Sequence, residues 1–225
     1  MTLSQLRTLA RAYIPAAKSS VLDNTTLDLI LNNAVVDIAA YTCCLKTNKK
    51  FAVVADQSEY NISSVIGDYL VSDKPGLWWN AGTASAPNWI KIDSATMKSL
   101  DNDQPVWRDL ESGNPDTYSI DGDILTISPP PDTSLADGFW LYYGKAPVAM
   151  SSNDSYPFSG SATEYTHLMI FDESILRYAK WRVDPVFGKE HSNDVTEAAY
   201  KREREEKFQL FKQRRDISSE AQLNI

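Results

Sequence analysis

The chain has 225 residues, 43% of them hydrophobic, and a formal net charge of −8. That length suits one large domain or two small ones, and no apolar run approaches the ~20 residues that a membrane span needs. Two histidines and a single adjacent cysteine pair give no zinc-ligand spacing, and side chains about 100° apart on a helix argue against a Cys43–Cys44 disulfide.

The charge is unevenly spread. Phe51 to Tyr165 carries 5 basic against 16 acidic residues, a net −11, while the remainder carries 17 against 14, a net +3. An acidic segment repels phosphates, which argues against a DNA reader but suits a wall along which DNA slides. The first residues hold spaced leucines and two arginines rather than a signal-peptide block. The expectation is a soluble protein made in the cytoplasm.

Leu3, Leu6, Leu9 and Tyr13 share one helical stripe, so a short helix over Thr2–Tyr13 is expected, ended by Pro15. Asp23 or Asn24 caps a second helix. Its face is Leu27, Ile30, Leu31, Ala34, Val35, Ile38, Tyr41 and Leu45, spaced by threes and fours. From Lys50 the period changes to two. Phe51–Val54, Tyr60–Ile62, Val65–Val71, Leu77–Trp79 and Trp89–Ile92 read as strands, with Lys74-Pro75-Gly76 as a turn before Leu77. Ser94–Leu100 reads as one or two helical turns capped by Ser94. Tyr118–Ile120 and Asp123–Ile127 flank Asp121-Gly122, a hairpin signal, because glycine tolerates the positive φ of a tight turn. Phe139–Tyr143 is the last strand.

Ser151–Ser161 reads as a loop or linker. Helical spacing resumes with Thr163 as cap and Leu168, Phe171, Ile175, Tyr178 and Arg182 as the stripe, stopped by Pro185 and Gly188. A last helix is capped by Asn193 or Asp194. Its apolar stripe is thin, and Glu197–Lys201 and Glu203–Lys207 sit in the favourable i,i+4 order. A self-supporting, solvated helix of this kind can dock its stripe on a partner.

Signatures of catalysis are weak. No phosphate loop or nucleophile elbow is present. Asp121 and Asp123 fit turn chemistry better than acid/base work, and His167 reads as a helix-surface residue. The aromatics are more informative. Trp78, Trp79, Trp89, Trp107 and Trp140 all fall in the strand-rich segment. Adjacent Trp78 and Trp79 point to opposite faces of a strand, so one is expected in a core and the other exposed or at an interface, where a Trp face can stack on a sugar or a protein.

Two stretches carry a family resemblance. One is Ile124-Leu125-Thr126-Ile127-Ser128-Pro129-Pro130-Pro131-Asp132, followed by Phe139-Trp140-Leu141-Tyr142-Tyr143 and Ala146-Pro147. The other is Tyr156-Pro157-Phe158 followed by Glu164-Tyr165-Thr166-His167-Leu168 and a helix. Together with the N-terminal helix pair, this resembles the head-to-tail adaptor proteins of tailed phages, also called head completion or tail tubular A proteins. The departures are an insertion of Ser159–Thr163 before the helix and a larger, more Trp-rich strand segment.

The resemblance implies an α+β fold: a helical bundle frame from 1–49 and 160–225, a long C-terminal helix, and an inserted antiparallel β domain, sandwich or barrel, over 50–159. It implies a structural virion protein of the neck, not an enzyme, with no cofactor. Its copies would form a homo-oligomeric, dodecameric ring below the portal protein, bind a tail nozzle or tail tube protein and possible tail fibres, and pass DNA without specific binding. The C-terminal stripe Tyr200, Arg204, Phe208 and Phe211 is the expected portal-docking face, and Trp78 and Trp79 the expected tail or glycan contacts. The rival readings are a glycan-binding β module on a helical base and a carboxylate-dependent cell-wall hydrolase.

Overall fold

The structure, a computed structural model, describes residues 1–14, 22–103, 107, 110–184 and 193–223, with backbone alone at 71–75, 102–103, 193–194 and 214–223. Pro15, Pro185 and Gly188 lie outside the described residues. The fold is mixed α and β, with a curled seven-stranded sheet and a long C-terminal helix. The chain divides into two units: Met1–Cys44 with Pro147–Ile225, and Leu45–Ala146.

The first unit is helical. Helix α1 (Leu3–Tyr13) starts in a capping box between Thr2 and Gln5, which satisfies backbone donors at both positions. Ile14 then turns extended, as a residue before proline must. Helix α2 (Asn24–Thr42) is capped by Asp23, whose carboxylate accepts from Thr26 N–H at 2.7 Å. The helix expected from Thr163 begins later. A 3-10 turn over Thr166–Phe171 leads into the α-helix Asp172–Val183 (here α3), with no side-chain cap at Tyr165. The segment before it is a loop but not a linker. Leu3 N–H donates to Ser155 O and Ser4 N–H to Asn153 O, Asn32 binds the Met150 backbone through both ends of its amide, and Phe158 is buried against Phe171.

The last helix, α4 (Asn193–Leu223), has 31 residues, about 46 Å at 1.5 Å per residue. Its thin stripe is not free. Tyr200 is 1% exposed and packs on Tyr178 and Trp181 of α3, and its hydroxyl donates to Asp37 of α2. Arg204 reaches the same carboxylate at 2.5 Å and lies 3.8 Å over the Tyr41 ring. Phe208 meets Tyr41, and Phe211 meets Phe171. The expectation of a solvated, self-supporting helix is therefore corrected over Tyr200–Phe211. Few apolar residues suffice because a buried hydroxyl, a carboxylate and a guanidinium complete the contact.

The second unit is the sheet. Its strands are β1 (Lys46–Val53), β2 (Glu59–Asn61), β3 (Tyr69–Asn80), β4 (Trp89–Ser94), β5 (Thr117–Asp121), β6 (Ile124–Ser128) and β7 (Leu135–Lys145), in the order β1-β7-β3-β4-β5-β6-β2. The sheet is not purely antiparallel, because β4 and β5 run parallel. It curls until its two edge strands meet: Phe51 of β1 packs on Tyr60 of β2 at 6.1 Å, and both contact Phe139. Inside lie Leu77, Trp79, Ile92, Tyr118, Leu125, Ile127, Leu141 and Tyr143.

Three local expectations change. Val65–Val71 is not one strand, because Asn61 caps a single helical turn, Ile62–Val65, by accepting from Ser64 N–H. The Lys74-Pro75-Gly76 turn is instead a bulge within β3. From Val71 to Gly76 the strand advances five residues while its partner β7 advances two. The helix Met97–Asp103 is capped by Thr96, not Ser94. The β5–β6 hairpin does turn at Gly122, whose φ of +58° suits glycine.

Two outcomes follow from this packing. Asp37→Ala should lower the stability of the helical unit by about 1–3 kcal/mol, since Arg204 loses its partner, and Tyr200→Phe by about 1 kcal/mol. Urea denaturation followed by helix ellipticity tests this, and unchanged midpoints would refute the role of the Asp37 contact. Deleting Glu203–Ile225 would strip α2 of Arg204 and Phe208, so that truncation reports on folding before docking.

The second outcome concerns Cys44. Burial pushes its thiol up to about 11. A thiol raised in the fold stabilises fully below its ordinary value near 8.5 and loses that contribution as pH rises through 11. At pH 8 alkylation of the native protein by iodoacetamide should be at least about tenfold slower than in urea, with both cysteines, each buried, labelling together on unfolding. Fast native labelling by intact mass would contradict this.

Candidate functional site

The outer face of the sheet carries the most distinctive arrangement. Side chains alternate along β7, so Phe139, Leu141 and Tyr143 point into the core and Trp140 and Tyr142 point out. Register then sets their neighbours. Trp140 lies opposite Lys50 of β1 and Trp78 of β3, and Tyr142 lies opposite Asn48 and Gly76. The result is a cluster of four rings from three strands. Trp78 stands 4.8 Å from Tyr142 and 6.1 Å from Trp140, Trp140 stands 5.0 Å from Tyr142, and Trp89 of β4 stands 5.4 Å from Trp140.

The cluster is held in place. Trp140 Nε1–H donates to Asn48 Oδ1 at 3.0 Å. The six-membered ring of Trp78 occupies the space above Gly76, where a Cβ would come within 2.4 Å of it. The Lys50 ammonium sits 4.9 Å from the Trp89 ring centroid and 5.4 Å from that of Trp140, cation–π distances. Trp78, Trp89 and Trp140 are half-buried and Tyr142 is 37% exposed.

Behind this face the core is closed to titration. The Tyr143 hydroxyl donates to Asp68 at 2.6 Å, and burial first, then that carboxylate, raise its pKa. Burial first, with smaller contributions from Tyr69 and Asp93, pushes Tyr118 up to about 12.

The residues expected as sites fall differently. Trp78 belongs to the outer cluster. Trp79, 2% exposed, is core and offers no surface. Tyr200, Arg204, Phe208 and Phe211 face α2, α3 and the 3-10 turn, so the docking stripe expected for a partner is occupied by the chain itself. Asp121 and Asp123 stand exposed at a hairpin tip, and His167 is exposed beside Tyr165 and Phe211. Lys50, Asn48 and Tyr142 were missed. The only sequence signal for them is strand register, which a single chain does not print.

The helical unit has two further surfaces. A cleft of about 770 Å³ lies between α1 and α3, floored by Leu9, Ala10, Ile14 and Leu176. Its rim cations are already answered: Arg177 by Glu173 and Glu203, Lys180 by Asp184, Lys207 by Glu203. Helix α2 also exposes an uncharged line, Leu29, Asn33 and Val36, with Leu29 60% exposed and the half-buried Ala40 continuing it. Among the described residues no cluster of three or more His, Cys, Asp or Glu could hold a metal ion, and no helix is long and apolar enough to cross a membrane.

Gly76→Ala tests the geometry of the ring cluster. The added Cβ must displace the Trp78 ring, costing about 1–3 kcal/mol by overpacking and reducing the near-ultraviolet circular dichroism of the coupled indoles. An unaltered aromatic spectrum would show that Trp78 does not lie where described.

Comparison of the chain with protein-family models and with curated proteins yields no match.

Proposed function

We propose that this protein is a head-to-tail adaptor of a tailed phage: a structural virion protein whose copies form a ring under the portal, offer the tail its attachment surface and line part of the DNA channel. The observation that carries this reading is the organisation of the chain. Residues from both ends build one helical unit, and the strand unit is inserted between α2 and the 147–165 loop. A helical unit built from both ends of the chain around an inserted strand unit supports the arrangement that the resemblance implies.

Helix α2 supports assembly. Surface helices normally turn a charged face to water. Here the inner stripe, Leu27, Leu31, Ala34 and Ile38, is backed by the exposed and uncharged Leu29, Asn33 and Val36, continued by the half-buried Ala40. Such a line suits burial against a neighbouring copy, and a repeated head-to-tail contact closes a ring. Tyr200, Arg204, Phe208 and Phe211 already contact α2, α3 and the 3-10 turn, which favours α2 over that stripe as the assembly surface. The acidic strand unit supports passage of DNA, since carboxylates give the phosphates nothing to hold.

The test is assembly. Native mass spectrometry of the 25.2 kDa chain mixed with the portal protein of the same virion should give a ring-on-ring complex. Leu29→Arg with Val36→Arg should abolish the ring and leave helix content intact. Duplex DNA should not be retarded by the free protein at about 150 mM salt. Absence of any complex with portal, or a wild-type chain that retards DNA at that salt, would overturn the reading.

A further inference from the structure

We propose that the outer aromatic face of the strand unit binds an anionic saccharide, a hexose polymer whose ring faces lie on Trp78, Trp140 and Tyr142 and whose carboxylate or phosphate meets the Lys50 ammonium. This goes beyond the adaptor reading and does not depend on it.

The first support is that these rings do no work in the core. The inward residues of the same strands, Trp79, Phe139, Leu141 and Tyr143, are the ones that join the buried core. The outward ones are large side chains on a wet face. The second is order. Asn48 fixes the Trp140 indole, and the missing side chain at Gly76 makes room for Trp78, so little side-chain entropy remains to be lost on binding. The third is shape. The rings meet at 40°, 46° and 58° rather than stacking flat. Tilted rings cover one another only in part, and Trp78, Trp140 and Tyr142 all keep exposed area.

Lys50 selects the ligand. Among the described residues no carboxylate lies within ion-pair distance of its ammonium, which rests on two indoles instead. It does so in a unit that carries 8 Lys and Arg against 14 Asp and Glu, a net −6. A bare cation on an aromatic shelf attracts a single anionic group. A nucleic acid strand is a poor fit, because its regularly spaced phosphates need a groove of several cations. An apolar protein surface would bury Lys50 unpaired, at a cost of several kcal/mol. A saccharide presents C–H faces to the indoles, keeps its hydroxyls in water beside Asn48, and brings one isolated charge per substituted ring.

The experiment is a calorimetric titration of the full-length protein with hexagalacturonate and with the neutral hexamer cellohexaose, alongside indole N–H resonances. Hexagalacturonate should give a saturable isotherm and shift the Trp78 and Trp140 signals. Trp140→Ala and Tyr142→Ala should each weaken binding by about tenfold, and Lys50→Gln should erase the preference for the acidic hexamer. Thermal melting controls for folding, with Trp140→Phe as the milder variant. No saturation by hexagalacturonate, equal affinity for cellohexaose, or an unaltered isotherm in Lys50→Gln would each overturn the proposal. So would loss of binding to a protein or to a single-stranded oligonucleotide in the Tyr142→Ala variant without any saccharide isotherm. Particle mass with the portal protein reads the adaptor assignment separately, so either idea can fail alone.

Discussion

Strand β7 is paired on both sides, with β1 on one flank and β3 on the other. That double pairing locks its register, and register decides which side chains point where. Because the side-chain period is two, a slip of one residue would drive Trp140 and Tyr142 into the core and Phe139, Leu141 and Tyr143 into water. The closed interior and the aromatic exterior are thus one decision made twice along eleven residues. Phe139 completes it by touching Phe51, Tyr60 and Trp79, which ties both edges of the curled sheet to its middle.

The helical unit solves a different problem. Helix α4 carries too few apolar residues to dock by area alone. Its inner line, Tyr200, Arg204, Phe208 and Phe211, recurs at four, four and three residues and meets α2 through one carboxylate, Asp37, and one ring, Tyr41. Asp37 serves two donors, and Arg204 spends its guanidinium both on that carboxylate and on the Tyr41 face. Polar groups used this way fix angle and register where a greasy contact would slide.

Periodicity made some of this legible from sequence. The presence of α1 and α2, the cap at Asp23 and the Gly122 hairpin are local, and local chemistry decides them. The stripes hold only in part, because Tyr13 and Tyr41 are exposed, Ala10 and Ile14 complete the buried face of α1, and α2 ends at Thr42, before Leu45. The Val65–Val71 segment, the cap at Thr96 and the β3 bulge were not legible, because each is settled by a partner elsewhere. Pro75 and Gly76 are turn-formers in isolation, yet β7 holds them within a strand. The outer cluster shows the same limit. Trp78 was visible as half of a Trp pair, but its company, Lys50, Trp140 and Tyr142, is assembled from strands up to about ninety residues apart. Likewise the α4 stripe was readable as a stripe, but nothing in the sequence says that α2 of the same chain fills it.

The strand unit starts and finishes on one ladder. Lys46 is paired with Gly144, and Lys145 N–H donates to Leu45 O at 2.8 Å. Its entry and exit are therefore neighbours, about 5 Å apart as antiparallel partners are. An insertion that enters and leaves on one rung can be enlarged, exchanged or lost without rethreading the chain on either side of it.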